Sequence, residues 1–265
     1  MTKLRTTRQQ LAQFQPAFFS VTFGAGGTTR DGTLAAVLDI RSEGLAAAPH
    51  LSCIGSTREN ISAILQEYRQ HGIRHIVALR GDIPSGMGTF GEFRYANELV
   101  SFIREQHGAH FHIEVAAYPE YHPQATTAHA DIRNFVRKVE AGADSAITQY
   151  FFNADAYFAF VDEVQALGVN IPIVPGIMPI NNFSQLARFS HTCGAEIPRW
   201  LRLKLQSYAD DTASIRALGL DVISALCDRL ISQGAPGLHF YTLNQAGTGS
   251  TICQRLGLYS ILFHH

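Results

Sequence analysis

Short apolar runs alternate along the chain with longer segments of helical spacing. The runs cover 18–23, 47–53, 75–79, 111–117, 145–151, 171–177 and 238–243. They are rich in Val, Ile, Phe and Ala with little polar alternation, which predicts strands buried on both faces. Between them, 57–71 places Ile61, Ile64, Leu65 and Tyr68 on one helical face. The segment 128–141 does the same with Ile132, Phe135, Val136 and Val139, and 154–167 with Tyr157, Phe158, Phe160, Val161 and Val164. Each reads as an amphipathic helix packed outside a sheet. Gly72, Gly142 and Gly168 stand where C-terminal caps belong. A repeated order of strand, loop, helix and glycine turn predicts a parallel sheet with right-handed crossovers.

Seven strands fall one short of an eight-stranded α/β barrel. The stretch 182–232 is long and mainly helical, with room for a weak strand near Ala195. The deficit is better placed at the N-terminus. There 3–14 already reads as a helix, with Leu4, Leu11 and Phe14 apolar, and a strand follows it directly. The expectation is a (β/α)8 TIM barrel lacking its first strand, in one domain spanning 1–265.

Composition narrows the function classes. With 265 residues, 46% of them hydrophobic, the chain can bury one large core. A net charge of −1 from 21 basic and 22 acidic residues argues against a nucleic-acid or anionic-membrane surface. The four cysteines form no C-x-x-C pair and read as reduced, packed thiols. The polar start, 1–10, is not a signal peptide, and no apolar run approaches the roughly 20 residues of a membrane helix. A soluble cytoplasmic protein is expected.

In a (β/α)8 barrel the chemistry sits at the C-terminal strand ends. Polar residues collect there: Thr22-Phe23-Gly24-Ala25-Gly26-Gly27, Pro49-His50, Arg80-Gly81-Asp82, Tyr118-Pro119-Glu120-Tyr121-His122-Pro123, Thr148-Gln149 and Tyr241-Thr242-Leu243-Asn244-Gln245. Any one alone is as well explained by a turn; the set converges on one rim. The glycine run can cradle phosphate through backbone N–H groups, although it is not G-x-G-x-x-G. Arg80 and Asp82 flank a glycine that permits close ligand approach, with a structural ion pair as the alternative. On the helix 128–141, Asp131, Asn134 and Lys138 share a face beside Arg137, which suits an anionic cofactor's pyrophosphate as well as a plain solvated surface. Twelve histidines raise the question of a metal, but there is no H-E-x-x-H. His110 and His112 share a strand face away from the active rim, and His264 and His265 are a terminal pair, so no metal is expected. No G-x-S-x-G elbow points to a serine hydrolase.

At this point a family resemblance emerges. Phe19-Ser20-Val21-Thr22-Phe23-Gly24-Ala25, Ala48-Pro49-His50-Leu51-Ser52-Cys53 and Ile73-Arg74-His75-Ile76-Val77-Ala78-Leu79-Arg80-Gly81-Asp82 resemble the bacterial methylenetetrahydrofolate reductases. So do Ala116-Ala117-Tyr118-Pro119-Glu120, Ile147-Thr148-Gln149-Tyr150-Phe151-Phe152, Pro175-Gly176-Ile177-Met178-Pro179 and His239-Phe240-Tyr241-Thr242-Leu243-Asn244, in the family's order over essentially the whole chain. The resemblance implies an FAD-holding barrel in which NADH or NADPH reduces the flavin, leaves, and is replaced by methylenetetrahydrofolate, which is reduced to 5-methyltetrahydrofolate in one-carbon metabolism and methionine biosynthesis. It implies that Thr22, Phe23, Ala25, His50, Arg80, Gly81, Asp82, Tyr95, Ala96, Tyr118, His122, Ala125, Asp131, Asn134, Arg137 and Lys138 line FAD. Asp82 is the implied catalytic group, near the pterin and acting on flavin electronics. The resemblance further implies that Gln149 and Gln185 bind folate or nicotinamide and that Phe189 stacks on one of them. A homo-oligomer follows by family analogy alone.

Two departures stand out. The family opens with a strand reading roughly Phe-Glu-Phe-Phe-Pro-Pro, whose glutamate is the proposed general acid, and no such motif occurs here. Gln245 replaces the arginine that many relatives carry after Tyr-Thr-Leu-Asn. A catalytically impaired FAD-binding fragment is therefore the first alternative. A flavin-free barrel lyase is the second, disfavoured because no lysine stands at a strand end. NADH and NADPH are not distinguished, since there is no Rossmann fingerprint to read.

Overall fold

The computed structural model describes residues 2–23, 30–82 and 91–258. Its strands are β1 (Phe19–Val21), β2 (Ala47–Ser52), β3 (His75–Leu79), β4 (His112–Ala117), β5 (Ser145–Tyr150), β6 (Ile173–Ile177) and β7 (His239–Phe240). They form one parallel sheet in chain order, β1 to β7. The helices are α1 (Thr2–Ala12), α2 (Arg30–Ser42), α3 (Arg58–Gln70), α4 (Ala96–His107), α5 (Ala128–Glu140), α6 (Ala154–Ala166), α7 (Phe183–Cys193), α8 (Arg199–Ser207), α9 (Thr212–Ser232) and α10 (Gly247–Arg255). This is the expected α/β TIM-barrel architecture, with seven strands among the described residues.

Local chemistry explains the punctuation. Thr57, Thr127, Asn153, Asn182 and Asp211 each cap a helix by accepting a backbone N–H with their side chains, a contact worth about 1 kcal/mol apiece. Gly72, Gly142 and Gly168 follow α3, α5 and α6 at positive φ, as caps. Strand alternation then sorts side chains between two layers. Ile76, Ile113, Val115 and Ala146 point outward into a large core shared with the helices. Ala48, Val77 and Ile147, with Phe18 and Leu79, make a thin apolar layer of their own.

The two sheet edges meet at a seam. Among the described residues no backbone pairing joins β7 to β1, yet Ser20 Oγ and His239 Nε2 stand 3.4 Å apart across it. A cavity of about 330 Å³ opens there, lined by Leu11, Phe14, Phe18, Ser20, Glu114 and His239 among others. Helix α1 borders this cavity through Leu11 and is tied to α2 by ions: Arg8 bonds Asp39 and Glu43, each at 2.7 Å, and Arg5 bonds Asp39 at 2.8 Å.

Some expectations shift. The edge strands are shorter than their apolar runs, because β1 finds three partners on β2 and β7 only two on β6. No strand forms at Ala195, which is buried in the connection between α7 and α8. His110 lies in the turn before β4, so it does not share a strand face with His112.

Candidate functional site

The C-terminal rim is built mainly by the loops after β3 and β4 and by α5. After Leu79 the chain turns at Gly81, whose φ is +88° and whose missing Cβ would fall 2.9 Å from Ile54 Cγ2. That turn leaves Asp82 exposed and Arg80 part-buried. Arg80 reaches across to the next loop, where its guanidinium donates to Gln124 Oε1 at 2.6 Å. That loop folds on itself: His122 N–H donates to Asp131 at 2.9 Å, Gln124 N–H to His122 Nδ1 at 3.1 Å, and Ala125 N–H to the His122 carbonyl at 2.8 Å. The Tyr118 and His122 rings meet edge to face with centroids 4.5 Å apart.

These side chains also act on one another electrostatically. Burial, then the charge of Asp82, then Cys193 and Asp131, push the Tyr118 phenol up to about 12, against a smaller pull from Arg80. Tyr118 therefore stays protonated and able to donate. Burial lowers the His122 imidazole; Asp131 and Asp82 oppose this, while Arg80 and Lys138 add to it. Lys138 donates to the Ala116 carbonyl on β4, and its ammonium lies near the Phe135 ring. Desolvation brings its pKa down to about 8, with Asp131 pulling the other way. Arg80, Asp82, Tyr118, His122, Asp131 and Lys138 thus share one electrostatic neighbourhood.

The other expected residues stand on or beside β1, β2, α4 and α5. His50, on β2, is desolvated within the barrel, which drops its pKa to about 4, with help from His239. It is neutral at physiological pH. Asn134 accepts from Arg137 at 3.0 Å on the exposed side of α5. Tyr95 caps α4 without a side-chain bond and is 56% exposed, with Ala96 as the first helical residue. Thr22 follows β1, its carbonyl held by the Thr33 hydroxyl at 3.1 Å, and Phe23 is part-buried beside it. Ala25 and the glycine run 24–27 lie outside the described residues.

The substrate-side expectations divide. Gln149 lines a crevice with Tyr118, Glu120, Tyr150 and Cys193, and its Oε1 accepts the Tyr150 N–H at 3.0 Å. Gln185 and Phe189 both ride on α7. Phe189 is half-buried, packs against the main core on one side and has the Arg188 guanidinium 5.6 Å from its ring centroid. Cys193 at this crevice was not expected. Nothing in the spacing of Cys193 marks it, whereas Glu120 stands inside the Tyr118–Pro123 cluster. Glu120 accepts the Glu196 N–H at 2.8 Å, and burial raises its pKa.

The donor set suits an anionic, aromatic cofactor. Guanidinium and ammonium groups suit a diphosphate. An exposed tyrosine ring at a helix start and a protonated phenol suit a planar heterocycle. A desolvated Lys138, with Asp131 pulling against its loss of charge, gains from an added anion.

Residues 1–257 match the family model described as Methylenetetrahydrofolate reductase. Over 250 residues the chain is 42% identical to 5,10-methylenetetrahydrofolate reductase of Salmonella typhimurium, covering 94% of this chain and 83% of that protein. It is 41% identical to the Escherichia coli K12 protein of the same name, with the same coverage. Methylenetetrahydrofolate reductase (NADH) 1 of Arabidopsis thaliana is 35% identical over 263 residues, covering 94% of this chain and 44% of that one. A solved Clostridium thermocellum protein, described as binding two copies of 5-methyl-5,6,7,8-tetrahydrofolic acid, has a TM-score of 0.64. At 13% identity, over 94% of this chain and 86% of that one, it shows the fold alone. Among the described residues no helix is long and apolar enough to cross a membrane.

Proposed function

The chain belongs to the methylenetetrahydrofolate reductase family, and we propose that it reduces 5,10-methylenetetrahydrofolate to 5-methyltetrahydrofolate with FAD as cofactor and NADH or NADPH as reductant. The observation that carries this reading is the convergence of Arg80, Asp82, Tyr118, His122, Asp131 and Lys138 on one rim. Bound there, FAD would take hydride from the nicotinamide and later give it to the folate's one-carbon unit.

The chain's own residues bind and tune. Lys138, Arg80 and Arg137 would hold the diphosphate as cations, and Tyr118 would donate a hydrogen bond from a phenol that does not ionise in the working range. His50 would act as a neutral imidazole. Asp82 places a fixed negative charge that disfavours anion build-up on the ring, which strengthens a hydride donor. Gln149 offers both a carbonyl and an amide to a pterin or nicotinamide edge.

The seam favours a second reading. Among the described residues no backbone pairing joins β7 to β1, and a barrel left open along that seam could hold FAD on the β3–β4 flank yet fail to turn over folate. Purified protein separates the two. Yellow protein that oxidises NADH with a quinone and also turns over methylenetetrahydrofolate supports the first. Quinone reduction alone supports the second. Protein that neither carries FAD nor gains flavin absorbance when FAD is added defeats both.

A further inference from the structure

A second cluster lies at the other end of the same strands and plays no part in the folate reading. β3 and β4 begin side by side, with His75 opposite His112 in the register. Period-two alternation puts Glu114 on the same side as His112, facing the barrel interior. The ligand atoms of His75, His112 and Glu114 all lie within 4.8 Å of one another. His75 Nε2 stands 3.6 Å from Glu114 Oε2. Around a tetrahedral ion with bonds of about 2.1 Å, neighbouring ligand atoms are roughly 3.4 Å apart. This pair already has the spacing of one edge.

The independent observation is Glu114 itself. Its side chain is 5% exposed. Oε1 accepts from the Ser145 hydroxyl at 3.1 Å, but Oε2 is buried with no hydrogen-bond partner, and so is the facing His75 Nε2. Barrel interiors are normally filled by branched apolar side chains, and a buried carboxylate short of a partner is costly. At 3.6 Å the two atoms are too far apart to satisfy one another by a hydrogen bond. A cation between them would use both lone pairs. The exposed His112 supplies the way in and the third ligand; its Nε2 stands 2.7 Å from Ser145 Oγ, a contact that an ion would replace or leave if Nδ1 ligates.

We propose that His75, His112 and Glu114 bind one divalent transition-metal ion of the zinc class. Two imidazoles and a carboxylate select Zn²⁺ or Co²⁺ over Mg²⁺ and Ca²⁺, which favour all-oxygen shells. Three protein ligands leave one position for solvent. The ion ties β3 to β4 remote from the hydride-transfer rim, so its role is structural. No strand-end chemistry depends on it, which keeps it compatible with a sequence that shows no catalytic metal motif.

Chelator-treated full-length protein is titrated with Co²⁺, read by visible absorbance, and with Zn²⁺, read by competition against a chromophoric chelator. One equivalent should bind, and Zn²⁺ should raise the thermal midpoint. E114Q and H112A should each weaken binding about tenfold or more, while the double variant H264A/H265A should change nothing. His112 is exposed, so H112A keeps the proposal testable if E114Q does not fold. The proposal is overturned by the absence of stoichiometric binding, by wild-type affinity in H112A, or by loss of binding in H264A/H265A. Failure of folate turnover with metal binding intact would count against the proposed function and leave this site standing.

Discussion

The flank from β2 to β6 and the seam between β7 and β1 are made from the same repeating unit, but only one of them is closed. On the flank, strands of five or six residues pair side by side, with one register shift between β5 and β6, and Leu51, Ile76, Ile113 and Ala146 are wholly buried. At the seam, β1 has three residues and β7 two, all half-buried, beside a cavity. The rim charges stand on the flank: Arg80 after β3, Tyr118 after β4, Lys138 on α5. Residues that must be held to within a fraction of an ångström are carried by the part of the barrel that can hold them.

The sharpest test of this difference is core truncation on each side. Ile113→Ala removes a fully buried side chain from β4 and should cost about 3–4 kcal/mol in urea unfolding. Phe19→Ala on β1 removes a larger but half-buried ring and should cost roughly 1–2 kcal/mol. Equal losses would mean that the seam is as well packed as the flank, and the comparison would fail.

Acid should act next. His50 is held at about 4 by burial and by His239, against an ordinary value of 6.5. The unfolded chain therefore binds a proton between those limits that the native state refuses, and stability falls as pH drops from about 6.5 to 4. His50 alone accounts for roughly 3 kcal/mol of that fall. Burial also lowers His239, on the facing edge. Urea midpoints that stay flat across this window would show that these rings are more hydrated than the closed interior implies.

Cofactor affinity probes the flank's chemistry. Lys138→Met should weaken FAD binding roughly 100-fold, about 2–3 kcal/mol, because it removes a desolvated cation from the rim. Wild-type affinity should also fall as pH rises through about 8, where the free protein's ammonium loses its proton. The variant should lack that step. Flavin fluorescence titrations at several pH values decide it, and an identical pH profile in both proteins would remove Lys138 from the site.

What the sequence made legible follows the same division. All seven strands were readable because central parallel strands are continuous apolar runs, and the helix frames were readable from their caps and glycines. α2, α4 and α10 go beyond the helices picked out by pattern, although Leu34, Val37 and Ile40 recur at three-residue steps. The ends of β1 and β7 were not readable, since ladder length depends on a partner far along the chain. Within the site, Arg80, Asp82 and Tyr118 follow from strand-end position, Lys138 from a helix face, and all four from family resemblance. Phe189 rests on the resemblance alone, because a helix face cannot tell ring stacking on a ligand from packing on the core. The cluster of His75, His112 and Glu114 was hidden for a related reason. Reading along one strand pairs His112 with His110, whereas the fold pairs it with His75 through the sheet register.

The smallest expected effect concerns how α1 is held beside the seam. Arg8 is 8% exposed and bonds both Asp39 and Glu43, while Arg5 reaches the same carboxylates from a half-exposed position. Hydrogen bonds to charged groups that water cannot easily replace are worth more than surface ion pairs. Arg8→Ala should therefore cost about 2 kcal/mol and expose α1 to early hydrogen exchange, since Leu11 and Phe14 lose their hold beside the cavity. Arg5→Ala should cost less than about 1 kcal/mol and fade further in salt. If the two substitutions prove equal, or if losing Arg8 leaves exchange in α1 unchanged, the helix is held by its apolar face and the ion cluster only decorates it.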